Sequence, residues 1–196
     1  MKLRTLFWST CISAAMAAST VPAAAAAAHE CVPGKVTAAS YTWDFKGEAN
    51  TILKDVQAEA QQALNHADRL QALARDNNLD WEIHAGHLSD LRSEINDIGD
   101  KLCRLESIRR MLAPWQQRVV DQVATTTRLL AENAQDAIVF GNNNREGLWL
   151  ASYQSYVNNL YNEAKSLTRS VGNAVEFAGV SKEYRDLGHN LGIKSL

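Results

Sequence analysis

The chain has 196 residues, with 20 Lys and Arg against 22 Asp and Glu and a formal net charge of −2. A chain this close to neutral, without a basic block, is not built to grip nucleic acid or an anionic membrane by charge. Its length suits one domain with a sizeable core, and its 46% hydrophobic content is that of a globular protein rather than a disordered one.

The first 28 residues have the order of a secretory signal peptide. Lys2 and Arg4 make a basic start, Leu6 to Ala18 is apolar or small, and Pro22 precedes an alanine run ending at Ala28. The apolar stretch, about 13 residues, is too short for the ~30 Å hydrocarbon layer of a bilayer. Residues 1–28 are therefore expected to be a signal peptide cleaved near Ala28, which places the protein in the periplasm or outside the cell. No later segment approaches ~20 apolar residues, so no transmembrane segment and a soluble protein are expected after cleavage. Residues 29–196 hold 18 basic and 22 acidic residues, a net charge of −4.

Cys11 leaves with the signal, while Cys31 and Cys103 stay. An even pair in an oxidising compartment favours a disulfide, with two free thiols or an intermolecular bridge as the alternatives. A bridge closing a loop of about 72 residues contributes about 4 kcal/mol in the chain-entropy account. There is no Cys-x-x-Cys pair, so redox chemistry has no support.

Residues 29–44 form an N-terminal arm. It begins with the turn residues Pro33 and Gly34 and leads to Trp43. Residues 45–180 then show apolar residues alternating by three and four, the period of a helix face. In the first segment these are Leu53, Val56, Ala60, Ala63, Ala67, Leu70 and Ala74, with Asp44 or Thr42 able to cap the start. The second runs through Trp81, His84, Leu88, Leu91, Ile95, Ile98, Leu102 and Leu105 and resumes at Leu112, with Asp80 as its candidate N-cap. The third carries Val119, Val123, Thr126, Leu130, Asn133, Ala137 and Phe140. Pro114 suits the first position of a helix and marks a break between the second and third segments, although a single kinked helix is the alternative. Gly141-Asn142-Asn143 reads as a stop and turn, and Asn144 opens the last segment. Its stripe is Trp149, Tyr153, Val157, Leu160, Ala164, Leu167, Val171, Ala174 and Ala178. Each segment is announced by a tryptophan: Trp43, Trp81, Trp115 and Trp149. After Gly179 the pattern fades, and residues 181–196 are expected to be a C-terminal tail with at most a short helix around Ser181–Leu187.

Long helices joined by short turns make sequential neighbours antiparallel. The expected fold is all-α: an antiparallel up-down four-helix bundle with long helices, preceded by the signal peptide and the arm. Cys103 then falls near the end of the bundle where the arm enters, which agrees with a Cys31–Cys103 bridge.

Three histidines are the candidate metal ligands: His66, His84 and His87. Folding the first two helices about Asn78 sets residue 66 opposite about residue 90, within a turn of His87, and Asp90 and Glu94 lie on the same stretch. Among them His84 lies on the apolar stripe, and a buried histidine satisfied by a core partner is the plainer explanation of it. The Glu-x-x-His motifs of di-iron bundles are absent. Haem has neither a Cys-x-x-Cys-His site nor a Met/His pair within reach, since Met111 lies roughly 40 Å of helix away from His84. Trp149, Tyr153, Tyr156 and Tyr161 with Asn158, Asn159 and Asn162 suit either a binding face or aromatic core filling. No Gly-x-Ser-x-Gly, His-Glu-x-x-His or phosphate loop occurs, so no catalytic residue and no cofactor are assigned, and an enzyme is not expected. The expectation is a non-catalytic interaction, scaffold or chaperone-like module that meets a protein partner. The alternative is small-molecule, metal or haem binding within the bundle core.

Overall fold

The computed structural model describes residues 43–76 and 80–192. The expected signal peptide, Cys31 and nearly all of the arm lie outside these residues. Among the described residues the chain is helical throughout, with α1 Phe45–Leu73, α2 Trp81–Ser107, a 3-10 turn Arg109–Met111, α3 Pro114–Asn143 and α4 Ala151–Asn190, and no strand.

The starts of the helices follow from their local chemistry. Asp44 Oδ1 accepts the Gly47 backbone N–H at 2.9 Å and caps α1. Asp80 holds the N-cap position of α2 but makes no side-chain cap bond. Pro114 is the first residue of α3, which confirms the break between the second and third segments. The sequence offers no conventional cap there. Instead buried Gln116 reaches back, accepting from Ala113 N at 2.9 Å and donating to Lys46 O at 3.0 Å and Asn50 Oδ1 at 2.8 Å. One side chain thus closes the start of α3 and ties it to α1.

Helix α1 packs against α2 and α4, and α3 packs against the same two. Lys101 bonds Glu59 and Arg104 bonds Glu48 across α1 and α2. Thr168 donates to Ala60 O at 2.9 Å and Gln71 to Asn158 at 2.8 Å across α1 and α4. Gln122 meets Ser170, and Asn133 meets Glu163, across α3 and α4. Beside α2 and α3, Arg109 of the 3-10 turn grips Asp121 of α3, and Arg145, just past α3, faces Glu82 of α2. In each of these helix pairs residue numbers rise along one member as they fall along the other.

The apolar stripes expected for α1 and α2 are buried at every position named for them, and Ala49 and Ile108 extend them. Small residues on α1, namely Ala60, Ala63 and Ala67, let its backbone approach α4, which is where Thr168 can reach the Ala60 carbonyl. Several expectations need correction. In α3 the buried face is Gln116, Val120, Val123, Thr127, Leu130, Ala134, Ala137 and Gly141. Val119, Thr126, Asn133 and Phe140 sit at its half-buried margin. Gly141 does not stop α3. It lies in the last turn because the Trp81 indole covers it, and a methyl group there would overlap ring atoms Cζ3, Cη2 and Cε3. The last helix begins at Ala151 rather than Asn144, after two turns closed by Gly147 N–H to Asn144 O and Leu150 N–H to Gly147 O. Trp149 belongs to that connection. It is exposed and donates to Glu146 O at 3.2 Å rather than filling the core.

The last correction concerns the C-terminal end. Residues 181–190, expected within a tail, continue α4, which reaches 40 residues against 29 in α1, 27 in α2 and 30 in α3.

Candidate functional site

The histidines divide into two environments. His84 is fully buried on α2, and its Nδ1 lies 3.0 Å from the Tyr153 hydroxyl of α4, itself fully buried. The rings meet edge to face at 5.5 Å. Burial holds His84 below the usual imidazole range, with nearby His87 adding to the effect, and burial pushes the Tyr153 phenol up. Both groups are therefore neutral at pH 7, and among the described residues His84 Nε2 has no partner. This is a core pair, and it keeps His84 out of any ligand set with the other two.

His66 and His87 do come together. Their Nδ1 atoms lie 3.4 Å apart across α1 and α2, and Asp90 Oδ2 is 3.8 Å from His66 Nδ1. The ligand atoms of the three residues all fall within 4.8 Å of one another. The α2 contribution follows from helix geometry, because residues three apart share a face. His66 and His87 are half-buried and Asp90 is exposed. Burial, then His66 and Arg69, hold His87 below its usual range, against the opposing pull of Asp90.

One heptad along the same seam, Glu59, Glu94 and Asp97 form a second cluster with the same arrangement of positions. Glu94 is pushed up to about 7, by burial first and then by the Glu59 carboxylate beside it. Glu59 is held below its usual range by the Glu94 carboxyl and Lys101. Glu94 thus holds its proton to higher pH than an ordinary carboxyl does.

The aromatic residues of the fourth segment do not form one face. Tyr153 is core, stacked on Phe140 at 6.0 Å, Tyr156 and Tyr161 are half-buried, and Trp149 is exposed. A different stripe, not singled out from the sequence, lies further along α4. Phe177, Val180, Tyr184, Leu187 and Leu191 are all exposed. Their spacing of three and four places them on one face. The core stripe of α4 ends at Ala178, and its continuation would fall on Ser181, Arg185 and Gly188. The exposed stripe runs one residue earlier, about 100° around the helix. At its root Phe177 packs on Trp115 of α3 at 5.0 Å. Beside it a cavity of about 420 Å³ opens between the ends of α1, α3 and α4, lined by Lys46, Trp115, Val180, Tyr184 and Arg185 among others.

Cys103 is half-buried on α2, beside Arg104, whose guanidinium bonds Glu48 in the first turn of α1 at 2.7 Å. That is the end where the arm joins, and the expected partner Cys31 lies outside the described residues. No helix among the described residues is long and apolar enough to cross a membrane. No protein-family model matches the chain, and neither a curated protein nor a solved structure is similar to it.

Proposed function

We propose that the chain is an exported, non-catalytic interaction module: an up-down four-helix bundle that holds out one face of α4 to a protein partner. The observation that carries this is the stripe Phe177, Val180, Tyr184, Leu187 and Leu191. Large apolar side chains gathered on one exposed face and continuing beyond the core mark an interaction surface rather than scattered surface residues. The occupant is an amphipathic helix of the partner, packed along the stripe with one large side chain anchored in the cavity at its root. Lys182, Glu183, Arg185 and Asp186 flank the stripe with balanced charge, so affinity comes from apolar packing rather than attraction between opposite charges.

Export rests on the order of residues 1–28. The up-down arrangement is supported by the opposite numbering sense of each packed pair. A Cys31–Cys103 bridge would tie the arm to α2. Peptide mapping without reduction tests it: the expected product joins Cys31 to Cys103, and free thiols on both would refute it.

The interaction reading is tested with the triple variant Val180→Ser, Tyr184→Ser and Leu187→Ser. Crosslinking in the native cell envelope should give a defined complex with the wild type that the variant loses. An unchanged crosslinking pattern would sink the proposal. A homodimer abolished by the same substitutions would replace the partner with a second copy of the chain.

A further inference from the structure

We propose that His66, His87 and Asp90 form a binding site for a divalent transition-metal ion, zinc foremost, bridging α1 and α2. Two nitrogens and one carboxylate oxygen are the donor set of open zinc sites, with a fourth position left to water or to a group from another molecule.

The spacing separates this from an incidental histidine pair. Bonds of about 2.0–2.1 Å in a tetrahedron set neighbouring donor atoms about 3.3 Å apart. The His66 and His87 Nδ1 atoms lie 3.4 Å apart, the separation that two ligands of one tetrahedral ion require. A square-planar site would bring adjacent donors to about 2.8 Å, so the geometry favours zinc or cobalt(II) over copper(II). As a hydrogen bond the same contact is poor, since it exceeds the usual N–H donor distance of roughly 2.7–3.2 Å and leaves one proton between two nitrogens. Asp90 Oδ2 lies 3.8 Å from His66 Nδ1, within 4.8 Å of the His87 donor, and its side chain is exposed enough to close in and complete the set.

The surroundings suit a cation. Glu59, Glu94 and Asp97 stand one heptad further along the seam, roughly 10 Å away at 1.5 Å per residue, too far to share the ion but close enough to contribute to the local potential. Arg69 and Lys101 are the opposing cations, facing His87 and Glu59 respectively. The site uses residues other than the α4 stripe and stands or falls apart from the interaction reading.

The test is zinc binding by the purified protein after removal of metal with a chelator. Calorimetric titration should show one Zn²⁺ per chain. His66→Gln and His87→Gln, each still helical, should weaken binding at least about 100-fold, more than the 10- to 100-fold loss typical of removing a residue that merely orients a ligand. Glu94→Gln should change the affinity less than threefold. Saturating zinc should raise the wild-type thermal midpoint by about 5–10 °C and leave the midpoints of the two histidine variants where they were. Cobalt(II) should give the intense visible bands of a tetrahedral site. No stoichiometric binding, or binding that survives both histidine substitutions, would overturn the site.

Discussion

Helix α4 is two different helices in one. From Tyr153 to Ala178 its apolar stripe is buried at every step among the other three helices. From Val180 to Leu191 its large apolar residues are exposed, on a face turned about 100° from the first. Composition does not separate the halves: both carry leucine, valine and tyrosine at spacings of three and four. What separates them is the neighbouring helices. Among the described residues α1 and α3 begin at Phe45 and Pro114, and α4 runs on past their first turns. Stability should therefore reside in the first half and association in the second.

The strongest test of that division makes the same truncation in both halves. Leu160→Ala removes a fully buried side chain and should cost about 3 kcal/mol, lowering the thermal midpoint by roughly 6–12 °C. A loss below about 1 kcal/mol would mean the core is not packed as described.

Gly141→Ala tests the closed end of the bundle. Helix propensity alone predicts a gain of about 1 kcal/mol, but overlap with the Trp81 ring predicts a net loss of about 2. Calorimetry reads the sign directly, and combining it with Trp81→Leu should recover much of the loss.

Tyr153→Phe leaves His84 Nδ1 without its partner in the core and should cost about 1–2 kcal/mol by denaturant titration. His84→Leu leaves the buried Tyr153 hydroxyl unpaired in turn and should cost about as much.

Two slopes with pH arise from the same core and seam. His84 has its folded value depressed below 6.5, so the folded state binds fewer protons than the unfolded one. The stability due to neutral His84 is complete above pH 6.5 and is lost as pH falls through and below that value. Glu94 works the other way. Its folded value is raised from 4.5 to about 7, so its contribution is complete below pH 4.5 and is lost as pH rises to about 7. Relative to wild type, His84→Leu should gain stability on going from pH 7.5 to 5, and Glu94→Gln on going from pH 5 to 8. Thermal melts across that range check both, and parallel curves would contradict the assignments.

The smallest effect is the other half of the first comparison. Leu187→Ala, on the projecting part of α4, should change stability by less than about 0.5 kcal/mol. A cost like that of Leu160→Ala would show that the face is covered within the folded chain.

Much of this architecture is legible in the sequence because α1 and α2 keep conventional core residues in strict register from Leu53 to Ala74 and from Trp81 to Leu112. In α3 Val123, Leu130 and Ala137 are buried as expected, but the other four positions move on by one residue. Its buried positions include Gln116, Thr127, Ala134 and Gly141, while the larger Val119 and Phe140 stand at the margin. Hydropathy follows the large residues, whereas packing uses the small ones where helices approach closely. At Gly141 a residue that signals a turn is instead a space for Trp81. On α4 a change of phase resembles a fading pattern, so the exposed stripe escapes a reading of the sequence, although its spacing is present there. The meeting of His66 with His87 is readable from the fold of the first hairpin. The separation of His84 from them is readable from its place on the core stripe.

The central claim, that the far half of α4 is an interaction face carried by a self-sufficient bundle, is tested most directly by the triple variant Val180→Ser, Tyr184→Ser and Leu187→Ser. Crosslinking in the cell envelope, at matched helicity and thermal midpoint, should show the wild-type complex lost in the variant. An equally abundant complex formed by the variant would contradict the claim.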